Sequence, residues 1–189
     1  MSTLRCDPCD SSPSCEPECC WICLAGHSLD NPLVQGCKCP RLVHQTCLAR
    51  WQIQSVGKAE ERQCRFCHET LPDWSLSLLP EQARASAPVA VMAVVYNSQV
   101  YKVPVKPGPD GEAAFKAAVK SLFGFAHDMD FDVTFEVKLP SVPGCSLPAT
   151  GNNSSLVLRG LNQFGAAATC AQASAVARAM ASEEATVTQ

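Results

Sequence analysis

The sequence predicts two regions of different class: a small module stapled by metal, then a separate α+β domain. Three observations carry this. Eleven of the 13 cysteines precede Asp73. Apolar periodicity is weak where they lie, so something other than a hydrophobic core must hold that region together. From residue 89 onward cysteine nearly vanishes, alanine and valine dominate, and apolar residues fall into strand and helix periods.

Taken in order, residues 1–17 are rich in Cys, Ser, Pro and acids and read as a disordered arm. Residues 18–74 are the cysteine module, and residues 75–88, ending in "LPEQARASAP", are a linker. Residues 89–181 form the α+β domain. Its first two β-rich runs, 89–96 and 99–105, are joined by "YNSQ" as a hairpin. A loop at 107–111 leads to a helix over 112–123, with Phe115, Ala118, Val119 and Leu122 on one face and Gly124 at its end. Over 131–139, Phe131, Val133, Phe135, Val137 and Leu139 alternate with Asp132, Thr134, Glu136 and Lys138, the pattern of a half-buried strand. A long loop, a strand at 155–159 and an alanine-rich helix at 164–181 follow, and residues 182–189 are expected to fray. The order is ββαββα. It bears a likeness to PB1-like, ubiquitin-like folds, and "DMDFD" at 128–132 sets acids at alternate positions, as an acidic PB1 face would. The domain is expected to recruit substrate or to self-associate.

The net charge of −3, with both signs interspersed, gives no basic footprint for nucleic acid. The longest apolar run, "APVAVMAVVY", has a proline and is about half the length that spans a bilayer. The polar start lacks a secretory h-region. The chain is therefore expected to be soluble and intracellular, cytoplasmic or nuclear and not secreted. Its thiols should be reduced, and the sequons at Asn152 and Asn153 should carry no glycan.

Eight candidate ligands remain: Cys20, Cys23, Cys37, Cys39, His44, Cys47, Cys64 and Cys67. They form four pairs, C-x2-C, C-x-C, H-x2-C and C-x2-C. A two-residue gap lets one tight turn present two donors to one ion, and zinc takes four sulfur or nitrogen donors tetrahedrally. Four pairs fill two closed sites. Closed sites are structural and supply folding energy. Cys19 adjoins Cys20, but Cys20 has the standard gap to Cys23. Cys6 and Cys9 have a ligand-pair gap but no second pair. His27 and His127 match no ligand position.

With "CWIC" at 20–23, "VHQTCLARW" at 43–51 and "CRFCH" at 64–68, this grid resembles the RING-CH zinc finger. The resemblance implies a cross-brace: Cys20, Cys23, His44 and Cys47 on one zinc, and Cys37, Cys39, Cys64 and Cys67 on the other. It also implies a RING-type ubiquitin-protein ligase. Such a protein has no catalytic residue of its own; it binds a ubiquitin-conjugating enzyme charged with ubiquitin and holds it near a protein substrate. By the same resemblance Ile22 and Trp51 contact the conjugating enzyme, and His68 stands where many RING domains carry an arginine that clasps ubiquitin. Leu48 is expected to pack inward. One departure keeps an alternative open. "PRLV" places four residues between Cys39 and His44, where RING-CH fingers have six or seven. That gap is closer to a PHD finger, and the alternative is a non-catalytic PHD-like binding module that reads peptide tails or acts as a scaffold.

Overall fold

A computed structural model of the chain describes residues 18–29, 31–79, 83, 87–138 and 155–187. The expected arm, most of the linker's second half, Leu139, Cys145 and the sequon asparagines lie outside these residues.

The first region is built on short elements. Strand β1 (Leu33–Gln35) pairs antiparallel with β2 (Leu42–His44), and helix α1 (Gln45–Gln54) follows at once. Half of "PRLV" is thus strand, and only Pro40 and Arg41 make the turn. Helix α2 (Trp74–Leu78) is capped by Asp73, whose carboxylate accepts the Ser75 N–H at 2.9 Å. Five residues make no stable helix alone. Burial of Trp74 and Leu79 at its two ends holds it in place.

The second region follows the expected order. Strands β3 (Ala90–Tyr96) and β4 (Gln99–Val105) form a hairpin whose two turn residues, Asn97 and Ser98, are both left-handed (φ 47° and 64°). That is the turn whose twist matches a hairpin. Helix α3 (Pro109–Phe123) starts three residues before the expected position. Pro109 occupies the first helical position, where its missing N–H costs nothing, and Asp110 and Glu112 complement the helix dipole. Gly124 ends it in the left-handed conformation (φ 67°), as expected.

Strand β5 (Thr134–Lys138) pairs with β6 (Ser155–Arg159), with Phe135 opposite Leu158 and Val137 opposite Leu156. The alternation from Phe131 is longer than the strand. The ladder stops at Thr134 because its partner ends at Arg159 and Gly160 (φ 90°) turns the chain away. Helix α4 (Phe164–Val187) runs past the expected end at residue 181; no glycine or proline interrupts it after Gly165. The two hairpins are separate two-stranded sheets with no ladder between them among the described residues. A PB1-like or ubiquitin-like domain would need one mixed sheet, so that likeness extends to the order of elements and not to their pairing.

Phe115 of α3, Phe135 of β5 and Phe164 of α4 meet with ring centroids 5.1–6.2 Å apart and anchor the core. Ala166, Ala167, Ala168 and Cys170 let α4 approach closely. The first region contributes to the same core. Ala49 and Ile53 of α1, with Trp74, belong to it, while Cys47 and Leu48 on the other side of α1 belong to a second cluster around the cysteines. Gln163 donates from Nε2 to the Val56 carbonyl at 3.0 Å across the same junction.

One glycine is required by space. A Cβ on Gly111 would lie 1.8 Å from the Lys106 carbonyl oxygen, whereas one on Gly165 would meet nothing within 4 Å. Gly111→Ala should therefore cost about 2 kcal/mol or more, and Gly165→Ala should be neutral or stabilising by up to about 1 kcal/mol. Denaturant unfolding of the two variants checks this; equal stabilities would show that the turn before α3 yields freely.

Candidate metal centre

Two turns of the same build present half of the ligands. In the first, the Leu24 N–H donates to the Cys20 carbonyl at 2.8 Å, the Cys20 N–H donates to Ala25 at 2.9 Å, and Cys19 bridges Gly26. In the second, the His68 N–H donates to Cys64 at 2.9 Å, the Cys64 N–H donates to Glu69 at 2.9 Å, and Gln63 bridges Thr70. In each, the residue after the second cysteine is left-handed: Leu24 at φ 62° and His68 at φ 55°. That conformation costs a non-glycine residue about 1–3 kcal/mol and persists only where the surroundings enforce it. The pairing of the cysteines supplies the enforcement.

The turns do not serve the same site. Cys20 and Cys23 meet His44 and Cys47, while Cys64 and Cys67 meet Cys37 and Cys39, the donor atoms of each group all lying within 4.8 Å of one another. The stretch from Cys37 to Cys47 is therefore divided between two centres, as the resemblance implies. Cys19 is exposed and outside both. His27 is outside both groups and accepts the Leu33 N–H at 3.3 Å.

Both donor sets fit zinc. A tetrahedron with Zn–S bonds of about 2.3 Å has edges of about 3.8 Å between sulfurs, and slightly less between sulfur and nitrogen. Cys39 Sγ and Cys64 Sγ are 3.9 Å apart. His44 Nδ1 lies 3.3 Å from Cys23 Sγ and 3.7 Å from Cys47 Sγ. Its other nitrogen, Nε2, donates to the Gly26 carbonyl at 3.0 Å, which fixes the ring and leaves Nδ1 free for an ion.

Proton affinities in the four-cysteine group are pulled apart. The Cys67 thiol, and then burial, push Cys39 up to about 12. Burial acts to raise Cys64 too, but the backbone N–H groups of Cys67 and Phe66 outweigh it and bring Cys64 down to about 6. A divalent cation would displace the remaining protons and bind all four as thiolates. Cys170 is different in kind. It is wholly buried in the core around Phe115 and Phe164, burial pushes its thiol up to about 12, and it lies outside both donor groups.

The RING-variant domain family matches residues 20–67, from the first ligand to the last. Residues 20–67 are a RING-variant, RING-CH-type domain. No curated protein and no solved structure matches the chain. The described residues from 90 onward form a separate α/β region that shares a core with the back of α1. No helix among the described residues is long and apolar enough to cross a membrane.

Beside the four-cysteine centre the RING-variant domain has a shallow groove, with Cys37, Cys39 and Cys64 in its wall. Trp21, Leu48, Trp51, Leu71 and Phe66 give it an apolar lining. Trp51 stands edge-on to Trp21 with centroids 6.0 Å apart, half-buried, so it both packs and lines the groove. Leu48 is buried, as expected. Ile22 is half-buried against the cysteine cluster and is not part of the groove lining; His68 is exposed at the left-handed position. Phe66, 56% exposed, is a surface feature that the ligand spacing did not single out. Its signal was its place between Cys64 and Cys67, matching that of Ile22 between Cys20 and Cys23.

The purified chain should hold two zinc ions per molecule by elemental analysis. Cys64→Ser should reduce that number and unfold the domain. Because φ is positive at Leu24 and His68, Leu24→Gly and His68→Gly should each stabilise the zinc-loaded domain, by about 1 kcal/mol, in thermal unfolding. A destabilisation of both would mean that these side chains make contacts outweighing their backbone strain.

Proposed function

We propose that the chain is a zinc-dependent RING-CH-type ubiquitin-protein ligase. The observation that supports this reading best is the alternation of the ligand pairs: first with third, second with fourth, in a domain matched by the RING-variant family. Both centres use all four positions for protein ligands, so two zinc ions would be structural and no step of chemistry would occur on them.

On this reading the chain is an adaptor with no covalent intermediate. A conjugating enzyme carries ubiquitin as a thioester, and the ligase holds that thioester near a substrate lysine, which gains its rate from proximity and orientation. The groove beside Trp51 takes the conjugating enzyme, with Ile22 as a flanking apolar contact. His68, on the far turn, donates a hydrogen bond to the carried ubiquitin. The α/β region, or a partner bound to it, brings the substrate, and it is also the surface available for self-association.

Incubation of the full chain with ubiquitin, activating enzyme and a panel of conjugating enzymes should yield chains on the protein itself. Trp51→Ala should lower that activity at least about tenfold, in keeping with tryptophan as an interface anchor, while two zinc ions remain bound. Absence of chains with every conjugating enzyme would reject the ligase reading. Loss of zinc from the Trp51 variant would make that residue a packing group only.

A further inference from the structure

The short connection between Cys39 and β2 does more than join two centres. Its Arg41 carries a guanidinium over the exposed ring of Phe66, 5.0 Å from the centroid, and Arg65 places a second one 5.5 Å from it. Phe66, Arg41 and Arg65 all line the same apolar groove as Trp51. Both arginines are exposed, and neither forms an ion pair with a carboxylate among the described residues. The nearby Lys38, by contrast, is paired with Glu69. An apolar groove flanked by two cations without carboxylate partners among the described residues fits an occupant that is apolar at its centre and acidic beside it.

We infer that Arg41, Arg65 and Phe66 form a specificity element of the groove, selecting conjugating enzymes that present an apolar anchor next to a carboxylate. This rests on the reading of the chain as a ubiquitin ligase and names the partner chemistry of that site. Cation–π attraction, about 0.5–1 kcal/mol at exposed sites, biases the guanidiniums toward the ring before the partner arrives. Arginine suits the role: its planar fork takes a carboxylate through two hydrogen bonds while still lying on an aromatic face. A simpler role competes. Four thiolates around one Zn2+ leave a formal charge of about −2, which nearby cations would offset. The two roles differ in what fails when the cations are reversed.

The test is a single-turnover rate on the full, zinc-loaded chain, using a panel of conjugating enzymes already charged with ubiquitin. Wild type is compared with Arg41→Glu/Arg65→Glu at about 0.05 M and about 0.5 M salt, which changes the screening length several-fold. The double variant should keep two zinc ions and transfer ubiquitin about tenfold more slowly with the best conjugating enzyme at low salt. The gap should narrow at high salt. Replacing the acidic residue beside that enzyme's apolar anchor with lysine should slow wild type and restore the double variant. A double variant as fast as an active wild type would overturn this inference and leave the ligase reading standing. So would a slow variant that has lost zinc, since the arginines would then serve the metal centre. A wild type inactive with the whole panel would overturn both.

Discussion

The whole first region depends on one constraint: ligands from alternate pairs must converge on the same point. No pair can be satisfied by its neighbour in sequence. Cys20 and Cys23 wait for His44 and Cys47, and the chain between must pass through Cys37 and Cys39, which belong elsewhere. The crossing pins the intervening segment from both ends. β1 and β2 are three residues each, too short to persist as an isolated hairpin, and their pairing follows from this closure. Each structural zinc site is worth on the order of 10 kcal/mol. The buried aliphatic residues of the cysteine cluster, Val43, Leu48 and Leu71, contribute about 2 kcal/mol each. Two zinc ions at these centres would therefore decide whether this region folds, and the apolar contacts would decide how its surface is shaped.

Helix α1 extends that order to the rest of the molecule. At about 100° per residue, Cys47, Leu48 and Trp51 fall on one side of α1, and Ala49 and Ile53 fall on the other. The first side is a ligand and a groove wall. The second is part of the core that holds Phe115 and Phe164. A ten-residue helix has little stability alone, so it is held by two interiors at once. Gln52 adds a polar tie, donating to the Glu61 and Pro72 carbonyls at 2.8 and 2.9 Å. The groove residue Trp51 is thereby connected through one rigid element to the α/β region, and a partner docked there would act on a helix the groove shares.

What could be read from the sequence divides along the range of the interactions. Ligand pairs are written in gaps of one or two residues, and the strands of the β3–β4 hairpin and β6 in runs of apolar side chains, so both stood out. The division of pairs between two centres depends on how distant segments cross; spacing left it open, and only the resemblance supplied it. The end of β5 was hidden because it is set by where β6 stops, not by the alternation around Phe131. The start of α3 was hidden because Pro109 reads as loop until its place at the first helical position is known. The role of Ile53 was hidden most completely. An isoleucine six residues after a ligand carries no mark that it joins the core of Phe115 and Phe164 and not the cysteine cluster.

"PRLV" is the feature that changed meaning most. By length it departs from the RING-CH pattern, and as a bare spacer it would be only a shortened link. In the fold, Leu42 and Val43 are strand residues paired with Gln35 and Val34, and the Leu42 carbonyl accepts the Trp21 N–H at 3.1 Å. The remaining two residues, Pro40 and Arg41, have no slack. Proline limits the backbone, and the following strand fixes where the turn must end. Arg41 is thus delivered onto the turn of the opposite ligand pair, where Phe66 receives it. A longer link would let that side chain wander in solvent. The shortness that weakens the family match is what sets a cation at the edge of the groove.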